Sequence, residues 1–562
     1  MREQIDAPVM ARLFLEKDYT MGQKYLITSA LPYVNNNLHI GHLIGCLLPS
    51  DVYARFCRAQ GRDVLYIGGA DEHGTPSEVG ALKENIPVEE YVDKYRAKHL
   101  EAVRDFKLSF DLYGRTHTKL HEKLIHELFN RLDSLGMIEE KSSMQPYSVN
   151  EKKFLADRYV IGTCPKCGYD HAYGNECDKC GTSLDPDQLI NPHSAIDPSS
   201  PVEMRETKHL YFKLSAVQDK LRAWIDSRQN WPKTAITIAN KWLDEGLHDN
   251  PITRDLKWGI PVNKPGFEDK VFYVWFDAPW GYVSISQAAT NDWASWWKNP
   301  DCYYTQFMAK DNVSFHSVFF PAQELAMNDN WKTVDMLKGQ NFMNFNGAKI
   351  SKSTGNGIFL DEALNIAPSD CWRYALLASA PETDDTDFTM ARFTEIVNKD
   401  LNGLLGNFVS RVCKLSNKNF GDVVPDGNGI DKDLELKINE KLNDLTSALE
   451  KCEFRNAVFA LRSLWAVANE YMTAKEPWAL IKNGDMNGAA TALNECFQMI
   501  DLFARVSAPF IPDAAEKMQN VFEIKHDLSW PTKYEHRIAN GEKFVVPENL
   551  FNRIELVEKT NE

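Results

Sequence analysis

Near its start the chain alternates short apolar runs with segments of helical period. Lys24 to Ser29 reads as a strand, a break follows at Pro32 and Asn35-Asn36-Asn37, and Leu43, Leu47, Val52 and Phe56 then recur at helical spacing. Residues 23–137 continue as strands alternating with helices, the pattern of a parallel sheet covered on both faces. A different regime begins at about residue 389 and lasts to 540, where Phe454, Val458, Leu461, Trp465 and Ala468 mark the apolar face of a long helix in a helical bundle. Between them, turn residues cluster near Pro381 to Asp387.

Two short motifs stand out against this frame. His39-Ile40-Gly41-His42 falls where the first helix should begin, and a helix amino terminus offers unpaired N–H groups and a partial positive charge to a phosphate. The two histidines add hydrogen-bond donors, and Gly41 would let a flat ring lie close to the backbone. Far downstream, Lys349-Ile350-Ser351-Lys352-Ser353 leads to Gly355 and Gly357. Two ammonium groups on such a loop are placed to neutralise charge on a transferring phosphate.

A third motif is metallic. Cys164-Pro-Lys-Cys167 and Cys177-Asp-Lys-Cys180 lie nine residues apart, each followed by glycine, Gly168 and Gly181. Two such turns close a tetrahedral four-sulfur site that suits one structural zinc with no open position. The matching stretch 191–202 holds no cysteine, so a second zinc is not expected. Of eleven cysteines the other seven are scattered and read as small core residues.

With 562 residues, 43% hydrophobic and 25% charged, the composition is that of an ordinary globular protein of several domains. A net charge of -16 argues against bulk attraction to nucleic acid, so any RNA site must be a local basic surface. No run approaches a membrane span, and Met1 to Thr20, with Glu3, Asp6, Glu16 and Asp18, has neither the pattern of a secretory signal nor that of a transit peptide. A cytoplasmic location and a monomer are the expectations.

The paired motifs resemble the signatures of class I aminoacyl-tRNA synthetases, His-Ile-Gly-His and Lys-Met-Ser-Lys-Ser, with Ile350 for methionine. Ala30-Leu31-Pro32-Tyr33, Ala70-Asp71-Glu72-His73-Gly74-Thr75, Tyr273-Val274-Trp275-Phe276-Asp277-Ala278-Pro279 with Gly281-Tyr282, and Ala309-Lys310-Asp311 with Phe315-His316 extend the resemblance to the methionyl-tRNA synthetase family, from about residue 22 to the end. It implies methionine activation with Mg-ATP and transfer to tRNA(Met), including the initiator tRNA. His39, His42, Lys349, Lys352 and Arg254 would be catalytic. His39, Gly41, His42, Asp311 and Lys352 would hold ATP, with Asp311 on the ribose. Asp71 would take the ammonium group of methionine, Leu31, Trp275, Ala278 and Pro279 would form the walls, and Tyr33, Tyr282 and His316 the polar edges, a tyrosine hydroxyl lying near the sulfur. Asn312 and Phe320 stand where many bacterial members have isoleucine and tryptophan, which would alter the pocket. Asn407 and Arg411, four apart on one helix face, and Trp478 would read the anticodon.

The expected architecture is therefore a Rossmann-type, doubly wound α/β sheet split by a zinc-knuckle insertion and followed by an α-helical bundle. Its parts are an extension at 1–22, sheet halves at 23–137 and 251–345, the insertion at 138–250, the lysine loop and connector at 346–388, the anticodon-binding helices at 389–540, and a tail at 541–562 that returns to the catalytic region. Three rivals remain: a class I synthetase for another amino acid, an HxGH nucleotidyltransferase, and a non-catalytic RNA-binding zinc protein. The first is disfavoured by the lack of room for a large editing insertion. The second has no use for the helices after residue 389, and the third no use for Lys349 to Ser353.

Overall fold

The computed structural model describes residues 23–180, 182, 184–228, 230–350 and 356–555. Five strands, β1 (Lys24–Ser29), β2 (Asp63–Ala70), β3 (Leu112–Arg115), β4 (Tyr303–Ala309) and β5 (Met336–Gln340), form one sheet in the order β5-β4-β1-β2-β3. Every pairing in it is parallel. Tyr25, Leu26 and Ile27 of β1 are buried, because helices cover both faces and a central parallel strand has no wet side. The strand order reverses between β1 and β4, and at such a reversal the loops leaving the carboxyl ends splay apart to form a crevice. His39 follows β1 and Asp311 follows β4, so both motifs reach that crevice.

The insertion is built on an antiparallel pair, Ile138–Ser148 with Val202–Phe212. Between these strands, Val160–Thr163 pairs with Ala172–Tyr173 and Ile190–Ser194 to make the platform of the cysteine turns. The helices Gln218–Asp226 and Lys233–Glu245 were expected within the insertion, yet they flank the sheet's second half. Trp224 Nε1 donates to Thr333 Oγ1 at 3.0 Å and Trp231 Nε1 to the Asp335 carbonyl at 2.9 Å, next to the start of β5.

After β5 the connector supplies the helix Ser369–Ala378 and the strand Thr386–Phe388, which pairs with Met343–Phe345. The helical region follows, with Asn407–Phe420, Lys432–Glu450, Phe454–Lys475 and Met486–Ser507 as its longest members. Phe454, Val458, Leu461, Trp465 and Ala468 are all buried, as their spacing predicts. Glu382 of the connector accepts the Phe454 and Arg455 N–H groups at 2.9 and 3.0 Å and pairs with buried Lys338 of β5 at 3.1 Å. One carboxylate thus ties the sheet to the positive end of a 22-residue helix.

Of the expected tail, the structure describes residues up to 555. Phe551 and Ile554 bond to Asn402 and Asn398 in the first helical segment of the bundle, at 2.9 and 2.8 Å, rather than to the sheet domain. Contact with the sheet domain is made earlier, where Trp530 donates its N–H to the Ala59 carbonyl at 2.7 Å and stacks edge-on to Phe56. An indole buries more apolar area than a phenylalanine and carries a donor as well, which suits it to this seam.

The deepest junction is ionic. Arg373, fully buried on Ser369–Ala378, pairs with fully buried Asp51 at 2.7 Å and donates to the carbonyls of Phe106, Pro509 and Phe510 at 3.0, 2.8 and 2.9 Å. Asp51 also accepts from Arg55 and from the Ser109 N–H and hydroxyl. Removing one partner of such a pair strands the other, so Arg373→Met should cost about 3–5 kcal/mol of stability in urea unfolding. Adding Asp51→Asn should return part of that loss.

Candidate active site

His39 caps the amino terminus of the helix spanning 40–59. Its Nδ1 accepts the Gly41 N–H at 3.1 Å, and His42 Nδ1 accepts the His39 N–H at 3.2 Å. Burial lowers the His39 ring to about 4 and, with His39 and His99 nearby, holds His42 well below the ordinary range. Both rings are neutral at physiological pH, and since each Nδ1 accepts a backbone proton, each carries its own proton on Nε2. The motif therefore presents two neutral N–H donors. Gly41 is required for a reason other than adenine approach: a Cβ there would lie 2.8 Å from His39 Cε1. The ring folds over its own helix turn.

The lysine loop is clamped to this turn. Ser351, Lys352, Ser353 and Gly355 lie outside the described residues, but both ends of the loop are defined. Ile350 is buried, with its Cδ1 3.4 Å from a Cβ built on Gly41. Ile40 N–H donates to the Ile358 carbonyl at 3.1 Å, and Leu360 N–H to the Leu38 carbonyl at 2.9 Å. Asn356 Nδ2 donates to the carbonyls of Phe345, Ala348 and Lys349 at 3.0, 3.1 and 3.1 Å, closing the loop base. Gly357, with φ +134°, passes so near Ile350 that a side chain would collide with it. Nothing periodic in the sequence singles out Asn356; its adjacency to the loop is the only signal.

Exposed Lys349 lies near Asp311, whose Oδ1 accepts from Asn312 Nδ2 at 3.1 Å. Asn312 also supplies the carbonyl that accepts His316 Nδ1–H at 2.8 Å. Because burial holds His316 at about 4, its Nε2 is bare, and Tyr282 must donate its hydroxyl proton there across 2.9 Å. Tyr282 can then only accept from a ligand. Tyr33 lies beside Asp71, and burial holds its hydroxyl protonated.

Tyr33 bridges to Asp71 along the backbone, and Leu31 Cδ1 stands 2.9 Å from a Cβ built on Gly281. Trp275 packs on Phe315 with ring centres 4.1 Å apart, and Ala278 and Pro279 form the turn that follows. Phe320 is buried, edge-on to Trp280 at 5.1 Å and 6.5 Å from the Tyr282 ring. Asp71 is buried and its Oδ1 has no hydrogen-bond partner. Burial and the repulsion of Asp277 raise its carboxyl well above the usual range. A cationic group is the natural occupant beside it.

Arg254 is not brought to the histidine turn. Its guanidinium lies 3.6 Å over the Tyr273 ring and pairs with Asp157 of the insertion at 3.2 Å, so here it is a buried tie between insertion and sheet. Burial makes this pairing necessary for so large a cation.

The cysteines converge as their spacing predicts. All four sulfurs lie within 4.8 Å of one another, with Cys164 to Cys180 at 3.9 Å and Cys167 to Cys177 at 3.6 Å. Zinc–sulfur bonds of about 2.3 Å place tetrahedral sulfurs about 3.8 Å apart, so the set fits the ion. In the bundle, Arg411 lies 5.3 Å over the Trp478 ring, and Trp478 is 38% exposed. Trp478 thus keeps part of its ring face open to solvent beside a guanidinium. Asn407 is exposed one turn before Arg411 on the same helix.

Residues 25–413 match the family model of class I tRNA synthetases (M), and residues 424–561 that of the anticodon binding domain of methionyl tRNA ligase. The chain is 45% identical to the methionine–tRNA ligase of Caulobacter sp. strain K31, over 95% of this chain and 97% of that one. It is 43% identical to methionine–tRNA ligase 1 of Acaryochloris marina, with coverage of 95% and 97%. Its fold is similar to that of the Mycobacterium tuberculosis methionyl-tRNA synthetase in complex with methionyl-adenylate, with a TM-score of 0.79 and 23% identity over 94% of this chain and 99% of that one. Among the described residues no helix is long and apolar enough to cross a membrane.

Elemental analysis of the purified chain should give one zinc per molecule. Cys177→Ser should lose that zinc and lower the melting temperature of the insertion.

Proposed function

The chain belongs to the methionine family of class I tRNA synthetases, and from that premise we propose that it activates L-methionine with Mg-ATP and transfers the methionyl group to the terminal adenosine of tRNA(Met). The observation that carries the amino-acid assignment is the buried, unpaired Asp71 oxygen, on a residue bridged along the backbone to Tyr33. A carboxylate suits the substrate ammonium, and aromatic walls suit a polarizable thioether. Since Tyr282 spends its proton on His316, Tyr33 is the hydroxyl that donates toward sulfur.

Activation proceeds by attack of the methionine carboxylate on the α-phosphorus, with cleavage of the bond to the β-phosphate oxygen and departure of pyrophosphate. The Nε2–H groups of His39 and His42 donate to phosphate oxygens as dipoles, and Gly41 lets the first ring fold into place. Lys349 and Lys352 supply the positive charge that the departing pyrophosphate requires. Asp311 holds the ribose hydroxyls. Attack of the tRNA hydroxyl on the adenylate carbonyl then releases AMP. Cys164, Cys167, Cys177 and Cys180 would hold one zinc as a cross-link of the insertion. Arg254 supports the active site only through the insertion seam. Asn407, Arg411 and Trp478 read anticodon bases, the indole by stacking.

Methionine-dependent ATP–pyrophosphate exchange, run against the other standard amino acids, tests the assignment directly. Lys352→Ala should leave methionine affinity nearly intact and slow adenylate formation in single turnovers by about two orders of magnitude or more, since its charge acts mainly in the transition state. An unchanged rate constant removes the loop from the mechanism. Trp478→Ala should weaken tRNA binding by about 1–3 kcal/mol of lost stacking, seen as a higher KM for tRNA, with exchange almost untouched. A parallel fall in both activities would return that residue to a structural role.

A further inference from the structure

A cationic groove lies on the helical bundle, away from the crevice. Arg392, Glu395, Lys399, Arg455, Phe459 and Arg462 line it, between the helical run 390–420 and the helix Phe454–Lys475, and it encloses about 430 Å³. Phe459 is 69% exposed there, although Val458 and Ala460 on either side of it are buried. A lone exposed apolar residue is ordinary, but an aromatic ring set among cations is the composition of a surface that meets RNA.

Its cations are only partly compensated. Arg462 is committed to Asp400 at 2.8 Å, and Asp400 also accepts the Tyr374 hydroxyl at 3.3 Å. Arg392 lies 3.0 Å and Lys399 3.9 Å from one carboxylate, Glu395, and all three side chains are more than half exposed, so these pairings are weak and exchangeable. Arg455 gives its backbone N–H to Glu382, while its guanidinium has no ion pair among the described residues. Four cations thus stand against two carboxylates, Glu395 and Asp400. On a chain of net charge -16 such a local surplus is what a polyanion site requires.

The groove is continuous with the Trp478 patch. Its two helices run side by side in the same direction, since Arg462 meets Asp400, Asn469 Nδ2 donates to the Leu404 carbonyl at 3.1 Å, and Arg411 lies over Trp478. Phe459 is about 24 Å from the end of its helix at Lys475, and Trp478 follows that end. The opposite end, at Phe454, is the one that Glu382 ties to the sheet, so the groove stands between the Trp478 patch and the sheet domain. We propose that this groove holds the ribose–phosphate backbone of the tRNA whose anticodon lies at Trp478, with Arg392, Lys399 and Arg455 on phosphates and the Phe459 ring against a ribose. The inference rests on the reading of Asn407, Arg411 and Trp478 as an anticodon site. Backbone contacts carry no sequence information, so the groove positions the RNA while the Trp478 end selects it.

Titration of a fluorescently labelled tRNA(Met) transcript with the full chain, and of the same transcript with its anticodon bases replaced, across potassium chloride from about 50 to 200 mM, separates the two ends. Lys399→Gln combined with Arg455→Gln should weaken both transcripts by the same factor and make log Kd less steep against log salt by about 1.5, the loss of two phosphate contacts. Phe459→Ala should weaken both about tenfold at an unchanged melting temperature. Trp478→Ala should weaken the transcript with the native anticodon alone. An unchanged salt slope in the double variant, with anticodon discrimination intact, would overturn the groove and leave the anticodon reading standing. Equal affinity of the wild type for the two transcripts would overturn the anticodon reading on which the inference rests. If Phe459→Ala turns a dimer into a monomer by light scattering while RNA affinity is unchanged, the groove is a contact between copies of the chain and the inference falls.

Discussion

The Arg373–Asp51 pair is the contact on which the relative placement of catalytic sheet and helical bundle depends. Asp51 sits on the helix that begins at His39, and Arg373 on the connector helix that follows the lysine loop. Holding them 2.7 Å apart in a dry interior holds together the two motifs carried by those helices. The same guanidinium satisfies the carbonyls of Pro509 and Phe510, where the last long helix of the bundle ends. A shift of the bundle would leave a buried cation without acceptors, which is far costlier than the loss of a surface ion pair. Arg suits the position because its planar fork reaches several acceptors at once.

On the proposed reading, the nucleotide end of the crevice divides its labour between neutral imidazole donors and lysine ammonium groups. Burial keeps both motif histidines uncharged, so the turn can be packed against Ile350 and Phe359 without a buried cation. On that reading positive charge is supplied by Lys349 and Lys352, in a segment that Asn356 closes at its base and Ile350 ties to the histidine turn. Such a division lets the phosphate site be apolar enough to strengthen hydrogen bonds while the compensating charge arrives from outside.

Overall charge and local charge point in opposite directions. A chain of net charge -16 repels a polyanion at long range, yet Arg411 stacked on an exposed Trp478 offers a cation and a flat apolar face at one place. On the proposed anticodon reading, binding of RNA there would depend on discrete contacts rather than on a diffuse basic surface. Specificity benefits, since other nucleic acids gain little from the remainder of the surface.

Local chemistry was legible in the sequence. The strand at Lys24 to Ser29, the histidine turn, the cysteine turns and the buried stripe from Phe454 to Ala468 depend on neighbours within a few residues, and spacing alone predicts them. The resemblance placed Asp71, Tyr33, Tyr282 and His316 in one pocket, and the fold pairs Tyr33 with Asp71 along the backbone and Tyr282 with His316 through its hydroxyl. Pairings between residues far apart were decided only by the tertiary structure. Arg373 and Asp51 are 322 positions apart, Arg254 is drawn to Asp157 and Tyr273 at the insertion seam, and the tail lies on Asn398 and Asn402. So too were proton positions: which nitrogen of His316 is bare, and therefore whether Tyr282 gives or takes a hydrogen bond, follows from a backbone carbonyl at Asn312. Secondary structure answers to short-range periodicity, whereas a buried charge or proton answers to whichever groups the folded chain packs around it.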